Sequence, residues 1–251
     1  GPYGLEKSDL PAVLDAWTRG VATCVAERPV EAFHAHYWLS GVVGHQLKHE
    51  FDRPLAVTFH TLGRIKNIAG ELESENRIRS EELVIGCADA VFASGSVEAD
   101  QLTSLYGIAR DRIEILTPGV DQTLFKPGEQ NSARKSLGLV EAPTLLFVGR
   151  IQEFKGLDVA IEALSLSANN DVRLVVVGGL SGNRGTETYL DIRRRIERCG
   201  LEERILFVDP QPHQLLPTYY QAADACLVPS RSESFGLVAL EAAACGLPVI
   251  A

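Results

Sequence analysis

Short apolar runs alternate with helical repeats along the whole chain. Residues 33–35, 55–59, 90–93 and 113–116 are brief runs dominated by aliphatic and aromatic side chains, and they predict strands. Between them, 39–51, 75–87 and 96–106 carry apolar residues at three- and four-residue spacing, which predicts helices. The second half repeats the pattern, with strands at 144–148, 173–177, 205–208, 225–228 and 248–251 and helices at 157–165, 187–199, 214–222 and 235–244. Strand–helix alternation implies α/β architecture with parallel sheets covered on both faces. The periodicity breaks at 117–128, where Pro118, Gly119, Pro127 and Gly128 interrupt it. We place the domain boundary there, giving 1–122 and 123–251. In doubly wound sheets ligands gather outside the carboxyl ends of strands, so the polar turns at those ends are the first places to look for chemistry.

Composition narrows the classes. With 251 residues, 45% hydrophobic and 23% charged, the chain has material for sizeable cores. At roughly 100–200 residues per domain, two domains are expected. A net charge of −9 leaves no basic stripe, which argues against nucleic acid or an anionic membrane as partner. No apolar run is long enough to span a membrane and no signal peptide is visible. Cys24, Cys87, Cys199, Cys226 and Cys245 are dispersed without a CxxC pair, which predicts reduced thiols and a cytoplasmic setting. The chain contains no methionine, so it is expected to be part of a longer reading frame or to have lost its start.

The densest chemistry lies near the end. Glu233 falls in the turn after the predicted strand 225–228, among free N–H groups at a helix start, and Glu241 lies further along that helix. A carboxylate can accept two hydrogen bonds from vicinal hydroxyls, which suits sugars and ribose. Spacing alone fits equally well an acidic helix start followed by a solvated glutamate. After strand 144–148 come Arg150 and Lys155, which can close on a diphosphate, the arginine by paired donors and the lysine as a point charge. Such charge-assisted bonds contribute roughly 1.5–3 kcal/mol each. Two solvated surface cations would look the same. The glycine-rich loop at 178–185 permits close backbone approach without matching GxGxxG. Together the three turns outline a nucleotide-diphosphate site better than any one of them.

In the first half, His34 and His36 end one predicted strand and His60 and Thr61 the next. The three histidines raise the question of a metal, but no carboxylate or cysteine stands at ligand spacing beside them and no Asp-x-Asp occurs, so no metal site is expected. Structural or substrate-orienting roles suit these histidines better. Lys7, Tyr37, Thr61 and Arg77 can jointly hold an anion, or can be unrelated surface groups.

The set His34-x-His36-Tyr37-Trp38, Phe59-His60-Thr61-Leu62, Pro118-Gly119-Val120-Asp121, Phe147-Val148-Gly149-Arg150 and Glu233-Ser234-Phe235-Gly236 resembles the GT-B retaining glycosyltransferases of family 4. The likeness spans the chain and is nearest to members that move N-acetylglucosamine from a UDP-sugar to inositol phosphate. It implies two Rossmann-like domains, the first for acceptor and the second for donor. It also implies further family segments before residue 1 and after Ala251. The implied donor site is Arg150 and Lys155 on the diphosphate, Glu241 on the ribose, Glu233 with the backbone of Ser234, Phe235, Gly236 and Leu237 on the sugar, and the turn containing Gln211 at the base. Gln211 stands where those members tend to carry arginine. Lys7, Tyr37, Thr61 and Arg77 match the acceptor-phosphate residues, and His60 the histidine against the donor sugar.

By the same resemblance the catalytic set is His60, Arg150, Lys155 and Glu233. Transfer retains configuration on one face, the leaving diphosphate draws the acceptor proton, and closure about 117–128 excludes water. The expected donor is UDP-N-acetylglucosamine or UDP-glucose, the acceptor a phosphorylated polyol or sugar, with no cofactor required and a homodimer left open. Alternatives are a sucrose-phosphate-synthase-like hexosyltransferase with the same donor site, a nucleotide-sugar epimerase, for which first-domain carboxylates are lacking, and a non-catalytic nucleotide-sugar-binding module.

Overall fold

The computed structural model describes residues 7–70, 72–180, 185–231, 233 and 235–251, with the side chains of Lys7 and Ser8 outside the description. The chain divides into two units, Gly1–Pro118 and Gly119–Ala251, and the division falls inside the 117–128 break. Each unit is built on its own parallel sheet.

In the first unit the apolar runs form β1 (Phe33–His36), β2 (Leu55–Thr58), β3 (Ala90–Ala93) and β4 (Ile113–Ile115), hydrogen-bonded in parallel in that order. Their helices are α1 (Leu14–Glu27), α2 (Tyr37–Phe51), α3 (Gly63–Ile68), α4 (Glu75–Cys87) and α5 (Ser96–Tyr106), and a 3-10 segment at Lys7–Val13 precedes α1. Leu55, Val57, Phe59, Val84 and Val91 are shielded completely and form the centre of the core. α2 begins two residues before the predicted repeat, because Tyr37 takes a left-handed backbone (φ 74°) and turns the chain from strand to helix without a loop. α1 and α3 were not anticipated. In α1 the apolar residues Leu14, Trp17, Val21 and Val25 do follow helical spacing, so its signal was present in the sequence, whereas α3 is only six residues long.

In the second unit the order of elements is α6 (Gln130–Leu137), β5 (Thr144–Val148), α7 (Leu157–Ser165), β6 (Arg173–Val177), α8 (Gly185–Cys199), β7 (Ile205–Val208), α9 (Leu216–Ala222), β8 (Ala225–Leu227), α10 (Leu237–Ala244) and β9 (Val249–Ile250). The sheet runs β7-β6-β5-β8-β9, all parallel. Successive strands step one way from β5 to β7, and the chain then returns to place β8 on the other side of β5. That reversal is the topological switch point of a Rossmann-like sheet, and its crevice opens at the carboxyl ends of β5 and β8. Alternate residues of the central strands feed two cores. Phe147, Leu174 and Val176 pack with α7 and α8 residues Leu157, Ile161, Ile192 and Ile196. Leu146, Val175 and Cys226 pack with Phe125, Tyr220 and Ala242. α6 was also unanticipated: it is eight residues long and mostly polar, with Ala133 buried and Leu137 packed on the core.

Candidate functional site

At the switch point, the turn after β5 and the turn after β8 are bound to one another. The backbone N–H of Arg231 donates to the carbonyl of Phe154 at 2.7 Å. Its guanidinium grips both oxygens of Asp158, at 3.0 and 2.6 Å, and donates to the carbonyl of Glu153 at 2.5 Å. Burial alone would raise the Asp158 carboxyl, but the arginine outweighs it and holds it below the ordinary carboxylate range. Gly156 makes this closeness achievable. Its φ is 72°, and a Cβ there would stand 2.0 Å from the carbonyl oxygen of Pro229.

Lys155 and Glu233 meet across the two turns, with Nζ donating to Oε2 at 2.6 Å. Arg150 is exposed on the same β5 turn and has no ion pair with any described residue. Phe235 is half-buried, Gly236 takes φ 87° at the start of α10, and Leu237 is exposed. Ser234 and the 181–184 part of the glycine-rich loop lie outside the described residues. Glu241, on α10, is 9% exposed. It accepts from the Tyr220 hydroxyl at 2.7 Å and lies 3.1 Å from Nε2 of His213, whose ring packs against Phe125. Burial, with Glu241 alongside, pushes the Tyr220 phenol well above its usual range, so it stays a donor at neutral pH. Gln211 donates to the carbonyl of Asp209 at 2.9 Å.

In the first unit a second group gathers where β1 and β2 end. His36 Nδ1 lies 2.9 Å from His60 Nε2, and their rings stack with centroids 5.1 Å apart. His34 is hydrogen-bonded to Thr58 Oγ1 at 2.9 Å, and its ring centroid is 4.2 Å from that of His36. His60 has φ 62°, so two of the three non-glycine residues with positive φ among the described residues, His60 and Tyr37, belong to this strand end. Such backbone strain clusters where the surroundings over-determine a functional geometry.

Beside the histidines, the Arg77 guanidinium lies 5.4 Å from the Tyr37 ring centroid and donates to the carbonyl and hydroxyl of Thr61, at 2.9 and 3.1 Å. Tyr37, Thr61 and Arg77 are therefore brought together, while the Lys7 side chain lies outside the described residues. Arg77 is only 1% exposed, however, and is also held by Glu73 at 2.7 Å and by the wholly buried Glu81 at 2.8 Å. Glu81 in turn accepts from the Gly63 N–H at 2.9 Å and from the Tyr106 hydroxyl at 2.5 Å.

Residues 114–251 match the family model for glycosyl transferases group 1, and residues 2–119 match the glycosyl transferase 4-like domain. The chain belongs to the group 1 glycosyltransferases. A D-inositol 3-phosphate glycosyltransferase of Xylanimonas cellulosilytica is 42% identical over 266 residues, covering 100% of this chain and 63% of that protein. A D-inositol 3-phosphate glycosyltransferase 2 of Catenulispora acidiphila is 43% identical, covering 100% of this chain and 62% of that protein. This glycosyltransferase chain thus spans less than two-thirds of the length of these relatives. Sucrose-phosphate synthase from Thermosynechococcus elongatus superposes with a TM-score of 0.88 at 31% identity, covering 99% of this chain and 63% of that one. Anabaena HepE, solved with UDP and glucose, gives 0.82 at 23%, covering 94% and 62%. The architecture is that of the GT-B glycosyltransferases, with two parallel-sheet α/β domains.

The sequence alone did not point to several side chains that frame these two clusters. Arg231 and Asp158 are 73 residues apart and pair only because β5 and β8 are neighbours. His213 and Tyr220 reach Glu241 from 28 and 21 residues away. The Glu73–Arg77–Glu81 run, by contrast, had a local signal in its repeated four-residue spacing of opposite charges.

Proposed function

We propose that the protein carrying this chain is a retaining glycosyltransferase. It moves a sugar from a UDP-linked donor, UDP-N-acetylglucosamine or UDP-glucose, to a phosphorylated polyol such as inositol phosphate. The observation that carries this reading is the contact of Lys155 with Glu233 at the switch point, with Arg150 exposed on the same turn. A partly exposed ion pair of this kind is worth only ~0–1 kcal/mol, so exchanging the carboxylate for a phosphate is cheap. The diphosphate takes Lys155 and Arg150, which frees Glu233 to accept from sugar hydroxyls. Glu241, positioned by Tyr220, accepts from the ribose, and the turn containing Gln211 meets the base. Two relatives above 40% identity that are named for inositol 3-phosphate support the acceptor class.

In the reaction the bond from the anomeric carbon to the diphosphate oxygen breaks. The acceptor oxygen bonds that carbon on the same face, and its proton passes to the departing diphosphate. Arg150 and Lys155 stabilise the charge that develops there. Tyr37, Thr61 and Arg77 face the acceptor phosphate, with His60 beside them at the strand ends of the first unit. For Arg77 that role requires Glu73 to yield its place on the guanidinium.

A second reading has its own support. The sucrose-phosphate synthase likeness, at 31% identity, favours a hexose phosphate as acceptor. The deciding experiment offers the complete protein UDP-N-acetylglucosamine, UDP-glucose and ADP-glucose against inositol phosphate and fructose 6-phosphate. Product masses then decide donor and acceptor together. Transfer to fructose 6-phosphate alone would establish the second reading, and UDP binding without any transfer would overturn both.

A further inference from the structure

We propose that His45, His49 and Cys87 bind one zinc-like divalent ion, which staples α2 to α4 at the end of the first unit away from the histidine cluster. His45 and His49 are four residues apart, so they share a face of α2. Cys87 is the last residue of α4, the helix packed along α2. His49 Nε2 and Cys87 Sγ are 3.2 Å apart, and the His45 and His49 rings meet edge to face with centroids 4.8 Å apart. One ligand atom from each residue lies within 4.8 Å of the other two, and no other such trio occurs among the described residues.

Three further observations support a built site. Lys48, between the two histidines, donates to the Cys87 carbonyl at 2.9 Å and to Asp89 at 2.6 Å, and Asp89 also accepts from the Leu55 N–H at 2.7 Å. This lattice fixes the end of α4 against α2 before any ion arrives. Nδ1 of His45 is buried and has no hydrogen-bond partner, a costly condition that a metal–nitrogen bond would meet. His49 is exposed while His45 and Cys87 are half-buried, so an ion can enter and keep a water in the fourth position.

The donor set decides the ion. Two imidazoles and a thiolate suit Zn2+ and its spectroscopic substitute Co2+, and disfavour Mg2+ and Ca2+, which take oxygen ligands. Tetrahedral coordination at zinc bond lengths asks for donor separations of roughly 3.3–3.6 Å, so small rotamer changes complete the site. Binding releases the Cys87 thiol proton to solvent and leaves both imidazoles neutral. Location argues for a structural role. α2 starts at the carboxyl end of β1 and runs back, and Cys87 lies just before the start of β3, so the ion sits at the amino ends of the strands.

The site departs from the expectation of no metal. The sequence signal was the His-x3-His spacing inside a predicted helix, and its third ligand is 38 residues further on. The test is titration of the metal-free full chain with Co2+, read by thiolate-to-metal charge transfer and tetrahedral d–d absorption. One equivalent per chain is expected, displaced by Zn2+ and unaffected by Mg2+. Cys87→Ser and His49→Ala should each abolish the signal, while Cys24→Ser and Cys199→Ser, at exposed cysteines, should leave it intact. Zn2+ should raise the Tm of the unmutated protein and not that of His49→Ala, whose exposed position tolerates the change. Absence of charge transfer, or a band that survives Cys87→Ser, would overturn the site.

Discussion

Lys155 carries opposite expectations for rate and for stability, which makes it the most informative single residue. Its partner Glu233 is a third exposed, so the pair contributes little to folding, ~0–1 kcal/mol at most. If it meets the leaving diphosphate, Lys155→Ala removes charge stabilisation that matters in the transition state, an effect of about 10²–10³ in turnover for one such donor. A rate within a few-fold of the unmutated protein, with Tm unchanged, would remove Lys155 from the mechanism. The histidines give a pH expectation. Burial chiefly, then the charge of His36, lowers the proton affinity of both His34 and His60 in the folded state, although Glu98 opposes this at His60. The unfolded chain therefore takes up their protons first, so the contribution is whole above pH 6.5 and is lost as pH falls through the lowered folded values. Both rings remain exposed, so the effect is small. Melting curves between pH 7.5 and pH 5.5 should show a Tm decline that is shallower in a His34→Gln, His60→Gln double variant. An equal slope would show that other groups carry the acid sensitivity. The placement of Lys155 and Glu233 was legible in the sequence, since both lie in turns right after apolar runs. The partners of Glu241 were not, since nothing near position 241 announces Tyr220 or His213.

At the scale of elements, two junctions hold the site in shape. The β5 and β8 turns approach each other as closely as a glycine allows at Gly156. Gly156→Ala adds ~1–2 kcal/mol of left-handed backbone strain, and its methyl collides with the Pro229 carbonyl besides. Loss of donor binding together with a lowered Tm is expected. A variant with wild-type UDP affinity would show that the turns need not touch. The α3–α4 junction depends on Arg77, whose guanidinium pairs with the fully buried Glu81 and with Glu73, which Lys66 also holds. Removing one partner of a buried pair strands the other charge, so Arg77→Ala should cost ~3–5 kcal/mol, readable by denaturant unfolding. A loss under 1 kcal/mol would mean that Glu81 finds other partners or becomes protonated. Elements with a dense apolar repeat or a compact apolar run, such as α4, α7 and β6, were legible from their pattern. α3 and α6, six and eight residues long, are too short to stand out, whereas α1 carried a legible spacing in Leu14, Trp17, Val21 and Val25 that was not among the predicted helices.

For the molecule as a whole, topology decides where a ligand can act, and this is the part periodicity could not supply. Alternation of strands and helices announced parallel sheets, but it is silent about strand order. The placement of β8 beside β5 rather than beside β7 turns two distant turns into neighbours. That crevice is walled by β5, which also anchors both cores of the second unit through Phe147 on one face and Leu146 on the other. A ligand bound there is therefore coupled to the folding of that unit. UDP at about a hundredfold its dissociation constant should stabilise it by ~2.7 kcal/mol. Hydrogen exchange locates the effect more finely than a melt does. With UDP saturating, amides of 149–156 and 228–236 should slow, since loops of this kind otherwise open at low free energy. The β6 and β7 strands, already buried, should change only by the global increment. Slowing at the strand ends of β1 and β2 without any at β5 and β8 would assign the nucleotide to the wrong sheet and dismantle the donor site proposed for the second unit.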